Sequence, residues 1–276
     1  MVTERDAGRE RALNPSSVRN DFSGSATGPV LQAGQFNGPV TLNIYYAEGG
    51  DGGSPQREAQ PGPERSGAPR VPQTSEELSD ILGDRPPMWE YLSWAGHLCL
   101  GVQSLETKRL DQGVGSQGRG HYLPSVEEAV AYIPDAFGWL GQIGESIMYW
   151  LAPEMQEKMF GPSGEPGDAV LIEHNAKRLL GVYDGFMDWA IDMRSCKVPA
   201  KLARLFQLAA SYADRPALDF RNFVDSAVEQ FDRFSTMDLH DPELRIEITL
   251  NFPIAIDPEA ERAFHEEYDR VLKRSW

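Results

Sequence analysis

Apolar residues recur at steps of three and four along most of residues 75–235, which is the spacing of one buried face of an α-helix. The helices predicted from this pattern begin near Ser75, Met88, Ser125, Asp168, Leu202 and Leu218. Ser75 is the predicted N-cap of the first helix, and Ser125 with Glu128 has the spacing of a capping box. A helix break is predicted at Asp214-Arg215-Pro216, between the helices that begin near Leu202 and Leu218, because proline lacks an amide hydrogen.

The hydrophobic period changes to two near residue 244, which predicts a β-strand with one apolar face over 244–256. The apolar residues of this strand are Leu244, Ile246, Ile248, Leu250, Phe252, Ile254 and Ile256. Pro258 then begins a last predicted helix. The expected fold is therefore mainly α: a helical bundle with one long β-strand and a C-terminal helix. A mostly disordered N-terminal region with short β segments is expected to precede it.

A lone strand needs partners for its backbone N–H and C=O groups. Residues 40–46, where apolar residues alternate again, are one partner within the same chain. The same strand of a second copy, related by a two-fold axis, is the other. The second arrangement predicts a homodimer through 244–256. Its contact residues are Leu244, Ile246, Ile248, Leu250 and Phe252.

The first 74 residues divide into three parts by composition. Residues 1–28 are polar and charged, so we expect them to be disordered. Residues 29–46 alternate between apolar and polar positions and are expected to form β segments that mediate interaction. Residues 47–74 are a predicted linker, since Gly or Pro occupies eleven of the 24 positions from Gly49 to Pro72. Residues 75–276 are the predicted helical domain.

An uncharged segment, VLQAGQFNG, runs from Val30 to Gly38. The residues that share one side of an extended backbone there are Val30, Gln32, Gly34 and Phe36. Stacked copies of such a strand would align Gln32 and Asn37 in ladders of hydrogen-bonded amides. Asn37-Gly38 is also a strong two-residue turn signal, so a hairpin folded within the chain is the alternative.

The spacing Val-x-Gln-x-Gly-x-x-Asn at positions 30, 32, 34 and 37 resembles the core of the RIP homotypic interaction motif, or RHIM. It is similar to bacterial amyloid signalling sequences of that type, often found in actinobacterial proteins beside a lead-in such as Phe22-Ser23-Gly24. The resemblance covers about residues 19–46. Ala33 departs from it, because the family often has a larger apolar residue there. The interaction residues that the resemblance implies are Val30, Gln32, Gly34, Phe36, Asn37 and Gly38.

The same resemblance implies a protein partner that carries a matching motif, such as a nucleotide-binding oligomerising receptor.

The net charge of the chain indicates which other classes of partner are disfavoured. The formal net charge is −16, of which residues 1–74 hold −1 and residues 75–276 hold −15. Such a surface repels phosphate backbones and anionic headgroups, so nucleic acid is excluded as a partner and a membrane is disfavoured. The charged start of the chain has no apolar run, which predicts a cytoplasmic protein.

No catalytic motif is found in the sequence, and neither a metal site nor a cofactor is expected. The five histidines share no metal-ligand spacing, and Cys99 and Cys196 lie in apolar helical patterns. Gly113 to Gly118 imitates a dinucleotide fingerprint but lacks the strand that should precede it. Asp184 and Asp188 form a like-charged pair one helical turn apart, which is unfavourable without a neutralising group.

Gly138, Gly141 and Gly144 recur every three residues in an apolar stretch that has Glu145 as its one charge. One interpretation is a membrane-inserting helix with close helix contacts. The other, preferred, is a bundle helix whose glycines admit a bulky neighbour such as Trp189. The tryptophans predicted to fill the core are Trp89, Trp94, Trp139, Trp150 and Trp189.

These observations favour an interaction and signalling protein, recruited or polymerised through its N-terminal motif and presenting the helical domain as effector or adaptor. One alternative is a membrane-active or enzymatic effector in 75–276 that the motif switches. The other is a dimeric scaffold without amyloid function.

Overall fold

The computed structural model of the chain describes residues 39–47, 71–83, 85–86, 88–111, 120–161, 167–235, 245–253 and 256–275. Helices dominate these residues, which confirms a mainly α protein. The helices are α1 (Ser75–Leu82), α2 (Trp89–Asp111), α3 (Val126–Trp150), α4 (Pro153–Phe160), α5 (Ala169–Ser195), α6 (Ala203–Ser235) and α7 (Pro258–Ser275). The strands are β1 (Pro39–Ala47) and β2 (Arg245–Pro253).

The core forms where α5 packs against α2, α3 and α6. Tyr91 of α2 is fully buried and donates its hydroxyl hydrogen to the Ala227 carbonyl of α6, at 2.7 Å. Phe137 of α3 meets the Trp189 ring of α5 edge-on, with centroids 5.5 Å apart. The Trp189 indole also donates to the Ala136 carbonyl, at 2.8 Å. Aromatic residues from α2, α3 and α5 therefore tie the four helices into one bundle core.

Local sequence signals set several helix starts. The capping box of α3 is confirmed, since Ser125 Oγ accepts from the Glu128 amide and the Glu128 carboxylate accepts from the Ser125 amide. Asp168 caps α5, which therefore begins where the sequence predicts. The predicted cap of α1 is wrong: Thr74 is the N-cap, with its Oγ1 accepting from the Glu77 amide at 3.1 Å. A hydroxyl one position earlier fills the same role.

The predicted break at Asp214-Arg215-Pro216 is wrong, because α6 continues through Pro216. Proline removes one helical hydrogen bond at a cost of about 3 kcal/mol. Buried side chains on both sides of Pro216, among them Tyr212 and Phe220, hold the helix against the core and offset that cost. Arg194 of α5 adds a bidentate contact to Asp214, at 2.6 and 2.7 Å.

Gly138 and Gly141 of α3 do not have the environment that the sequence suggested, whereas Gly144 is buried. A side chain added at Gly138 or Gly141 would meet nothing within 4 Å, so neither glycine makes room for Trp189. Trp189 packs on the opposite, buried side of α3, against Phe137. Among the described helices, none has the length and apolarity needed to cross a bilayer.

Candidate interaction site

β1 and β2 form a two-stranded antiparallel sheet that joins the beginning of the described chain to its C-terminal part. The register places Val40 opposite Phe252, Leu42 opposite Leu250 and Ile44 opposite Ile248. The sequence left two partners open for the strand that is now β2. The structure pairs β2 with β1 of the same chain. Residues 39–47 belong to the folded body, although the sequence placed residues 29–46 apart from it, beyond a linker.

The inner side chains of β2 fix the sheet to α6. Ile248, Leu250 and Phe252 are buried, with at most 3% of each side chain exposed. The Phe252 ring lies edge-on to Phe220, at 5.8 Å between centroids, and 5.3 Å from Phe223. Complete burial of an apolar side chain of this size contributes roughly 2 kcal/mol, so these three residues anchor the strand firmly.

The sheet has two strands within the described residues, so each strand has one side without a neighbouring strand there. An antiparallel strand directs alternate N–H and C=O pairs away from its partner. Such an edge is a ready template for another extended segment. The interaction site that the structure offers is therefore the pair of sheet edges.

The predicted interaction residues Val30, Gln32, Gly34, Phe36, Asn37 and Gly38 lie outside the described residues, as do residues 1–28 and Leu244. Gly38 is nevertheless the immediate neighbour of Pro39, the first residue of β1. Chain connectivity therefore ties the predicted motif directly to one end of the sheet. Ile246, Ile248, Leu250 and Phe252, the other residues of the predicted dimer strand, lie in β2. The intramolecular pairing already supplies one partner to that strand, and the dimer stays a prediction.

A polar cluster joins α2, α5 and α6 on another part of the surface. Arg109 donates to Asp184 at 2.5 Å and to Asp188 at 2.6 Å, so it neutralises the like-charged pair noted in the sequence. Beside it, the Tyr183 hydroxyl donates to Glu106 at 3.1 Å, and Glu106 also pairs with Arg221. These contacts join helices that are far apart in the sequence. The sequence does not show that such helices are neighbours, so it did not identify Arg109 as the partner of Asp184 and Asp188.

The electrostatics of this cluster follow from its contacts. Burial alone would lower the pKa of the Arg109 guanidinium, but its hydrogen bonds to Asp184 and Asp188 raise the pKa overall. Burial, reinforced by the charge of Glu106, raises the pKa of Tyr183 to about 12. Both groups therefore keep their protons at neutral pH, and the cluster acts as a fixed clamp between helices.

The residue types that bind metals are not clustered in the described part of the chain. No set of three or more His, Cys, Asp or Glu side chains there has a metal-binding arrangement. Burial raises the thiol pKa of both Cys99 and Cys196, which keeps them protonated and unreactive. Glu173 pairs with Lys177, one helical turn further along α5, at 2.5 Å. The Gly113 to Gly118 segment lies outside the described residues.

A groove of about 740 Å³ lies between the start of α1 and the C-terminal half of α2. Its described lining combines hydroxyl and amide side chains, such as Thr74 and Gln103, with Lys108 and Asp111. These groups can form hydrogen bonds to a polar molecule. They do not include a histidine or a thiol that could act as an acid, base or nucleophile near neutral pH.

The five tryptophans predicted to fill the core differ in burial, and Trp89 and Trp150 are only partly buried against it. Trp94 and Trp189 are buried core residues, as predicted. Trp139 was assigned to the core but is 48% exposed, on the side of α3 that faces away from the bundle. Since α3 is apolar on more than one side, hydrophobic spacing alone could not show which of its aromatic residues lies outside.

Comparison of the chain with protein-family models, with curated proteins and with solved structures finds no match.

Proposed function

We propose that this chain is an interaction and signalling protein, recruited through residues 29–38 by a protein that carries a matching motif. The observation that supports the proposal is the position of β1, which continues the motif without an intervening linker and is hydrogen-bonded to β2. A partner strand that pairs with the motif would thereby be coupled to the folded body. Strand addition of this kind draws its affinity from backbone hydrogen bonds and its specificity from alternate side chains.

The amide ladder is the expected mode of contact. Gln32 and Asn37 from successive chains would stack at the spacing of 4.7–4.8 Å that cross-β assemblies have. The folded body, which includes the 197 residues of chain between Ala47 and Arg245, would be carried on the outside of such a stack. The resemblance to RHIM-type sequences favours a nucleotide-binding oligomerising receptor as the protein that presents the matching motif.

The test uses the full chain with a charge placed inside the motif. Gln32→Asp repeats a negative charge in every layer of a stack, which should abolish thioflavin fluorescence and sedimentable assemblies. Ser25→Asp adds the same charge outside the motif core and should assemble like the unsubstituted protein. Equal assembly of the Gln32→Asp and unsubstituted proteins would contradict the proposal, and so would an unsubstituted protein that stays monomeric when mixed with seeds of the motif peptide.

A homodimer through β2 is a second candidate, favoured by the side of β2 that has no neighbouring strand in the described part of the chain. Light scattering separates it from the motif-driven assembly, because a Gln32→Asp protein keeps this dimer and loses only the larger species. A mass near the 30.7 kDa of one chain, at concentrations well above micromolar, would argue against the dimer.

A further inference from the structure

The outer side of α3 carries large aromatic side chains that stay partly exposed in the described chain. Trp139 is 48% exposed and Tyr149 is 61% exposed. They lie ten residues apart in one helix, which places them within about 80° of each other around its axis. The residues that line this outer face are Asp135, Gly138, Trp139, Gln142, Glu145 and Tyr149. We call it the α3 outer face.

The aromatic end of this face is held in place by its neighbours. Tyr132 lies beneath Trp139 with ring centroids 6.1 Å apart, and the His121 ring lies 4.7 Å from Tyr132. His121 is fixed by backbone pairing, since its carbonyl accepts from the Lys197 amide at 2.8 Å. Trp139 is thus a positioned ring, which reduces the entropy lost when a partner binds it.

The charges on the face have one sign. α3 contains four acidic residues and no Lys or Arg, and the side chains of Asp135 and Glu145 are exposed beside the aromatic residues. Burial first, and then Cys196, Asp192 and Asp135, raise the pKa of Tyr132 to about 12. The potential at this end of α3 is therefore negative.

The middle of the face is open at the level of the backbone. Side chains added at Gly138 and Gly141 would meet no atom within 4 Å, so a partner chain can approach the helix closely between Trp139 and Gln142. The face thus combines exposed aromatic anchors, a negative rim and a shallow centre.

We propose that the α3 outer face binds a basic segment of a partner protein, whose arginine side chains stack on Trp139 and Tyr149 and pair with Asp135 and Glu145. Charge complementarity selects this occupant: cations are attracted to aromatic faces and to carboxylates, whereas an acidic partner would be repelled. Exposed Trp and Tyr are typical energetic anchors of protein interfaces. This docking is independent of the N-terminal motif and concerns what the folded body itself binds.

The protein already contains the same pairing in its own structure. The guanidinium of Arg85 lies over the Trp89 ring at 4.9 Å, and that of Arg178 lies over Trp150 at 5.8 Å. Trp139 has an exposed ring without such an arginine among the described residues. An arginine of a partner would make the same contact with Trp139.

The probe is a synthetic peptide of four Arg-Leu-Gly repeats, titrated into ¹⁵N-labelled full chain that carries Gln32→Asp to prevent assembly through the motif. The indole signal of Trp139, assigned by its loss in Trp139→Phe, should shift, while those of the buried Trp94 and Trp189 stay in place. The same peptide with Glu for Arg should leave all three signals unchanged.

Two matched substitutions locate the site. Gly138→Arg adds bulk to the face and a positive charge that repels the arginine peptide. Gly181→Arg makes the same change at an equally open helical position of α5. Gly138→Arg should weaken peptide binding at least tenfold, and Gly181→Arg less than twofold. Asp135→Asn with Glu145→Gln should weaken it about threefold or more, compared with Glu229→Gln and Glu266→Gln on α6 and α7. Because Gly138 and Gly181 have free space, both arginine variants should fold normally.

Three results would overturn the proposal. One is an unperturbed Trp139 signal at peptide concentrations that shift other residues. Another is equal weakening by the Gly138→Arg and Gly181→Arg substitutions, which would mean diffuse attraction to an acidic surface. The third is a Trp139 shift that grows with protein concentration alone, which would make a second copy of this chain the occupant.

Discussion

Trp94 donates its indole hydrogen to the Asn175 side-chain oxygen across the centre of the bundle, at 2.9 Å. The Asn175 amide nitrogen in turn donates to the Trp150 carbonyl near the end of α3, at 2.7 Å. Trp94 and Asn175 both have 0% of their surface exposed. One amide side chain thus satisfies polar groups from two other helices and ties α2, α3 and α5 together.

Replacing Asn175 with Ala should destabilise the fold by about 3 kcal/mol, because the Trp94 indole and the Trp150 carbonyl lose their partners inside the core. Urea unfolding followed by circular dichroism measures the change. Lys177→Ala, two residues away on the exposed side of α5, is the control and should cost less than about 0.5 kcal/mol. Similar losses in the two variants would contradict the bridging role of Asn175.

Replacing Arg109 with Met should leave Asp184 and Asp188 as an unneutralised pair and lower stability by about 1 kcal/mol. Adding Asp184→Asn should recover much of that loss, because the repulsion is then removed. In 1 M NaCl, where charges are screened within about 3 Å, the loss should shrink. Urea midpoints at low and high salt test this, and a loss that does not depend on salt would indicate packing rather than charge.

Two glycine substitutions should have opposite signs. Gly138→Ala fills open space and should stabilise α3 by about 0.5–1 kcal/mol, because alanine loses less backbone entropy in a helix. Gly101→Ala places a methyl group inside the Leu180 side chain and should cost about 1–3 kcal/mol. Thermal unfolding of both proteins provides the comparison. A stabilising Gly101→Ala would mean that α2 and α5 do not pack as closely as described.

Removing β1 should lower the stability of the folded body, whereas removing only the residues before β1 should not. A chain that begins at residue 39 retains the sheet, whereas one that begins at residue 48 leaves the backbone of β2 without its partner strand. We expect the shorter chain to lose about 3 kcal/mol, or roughly 6–12 °C in Tm for a domain of this size. Identical melting of the two truncated chains would show that β1 adds nothing to the body.

His97 should make the protein less stable in mild acid. Burial lowers the pKa of His97 below its ordinary 6.5, an effect that Lys177 adds to and Glu173 opposes. As the pH falls below about 6.5, the unfolded chain therefore binds a proton that the folded chain resists, and the free energy of unfolding decreases. His97→Gln should flatten this part of the pH profile between pH 7 and pH 5. Parallel profiles for the two proteins would contradict the assignment.

Hydrophobic spacing predicted most of the long helices, because a helix such as α5 buries residues at steps of three and four against the core. It placed α5 within one residue and Phe252 on an apolar strand face, and both lie at the core. It failed at Pro216, since whether a proline ends a helix depends on packing that the local sequence does not contain. It also failed at Trp139, whose exposure depends on which side of α3 meets α5.

The sites were less predictable than the helices. Arg109 comes between Asp184 and Asp188 from a helix 75 residues earlier, and no spacing rule relates such distant positions. The choice between two partners for β2 was likewise a question of tertiary structure. The partner of β2 is residues 39–47. Their alternating apolar residues predict a strand, but the sequence alone groups that strand with the motif.

The distance along the chain between β1 and β2 has a consequence for biosynthesis. Ala47 leaves the ribosome 198 residues before Arg245, the residue that it pairs with. At typical translation speeds of about 5–20 residues per second, β1 waits on the order of 10–40 s for its complementary strand. Throughout that interval the nascent amino-terminal region has an exposed, uncapped edge. Polysomes, where many such regions emerge side by side, are where premature association would begin.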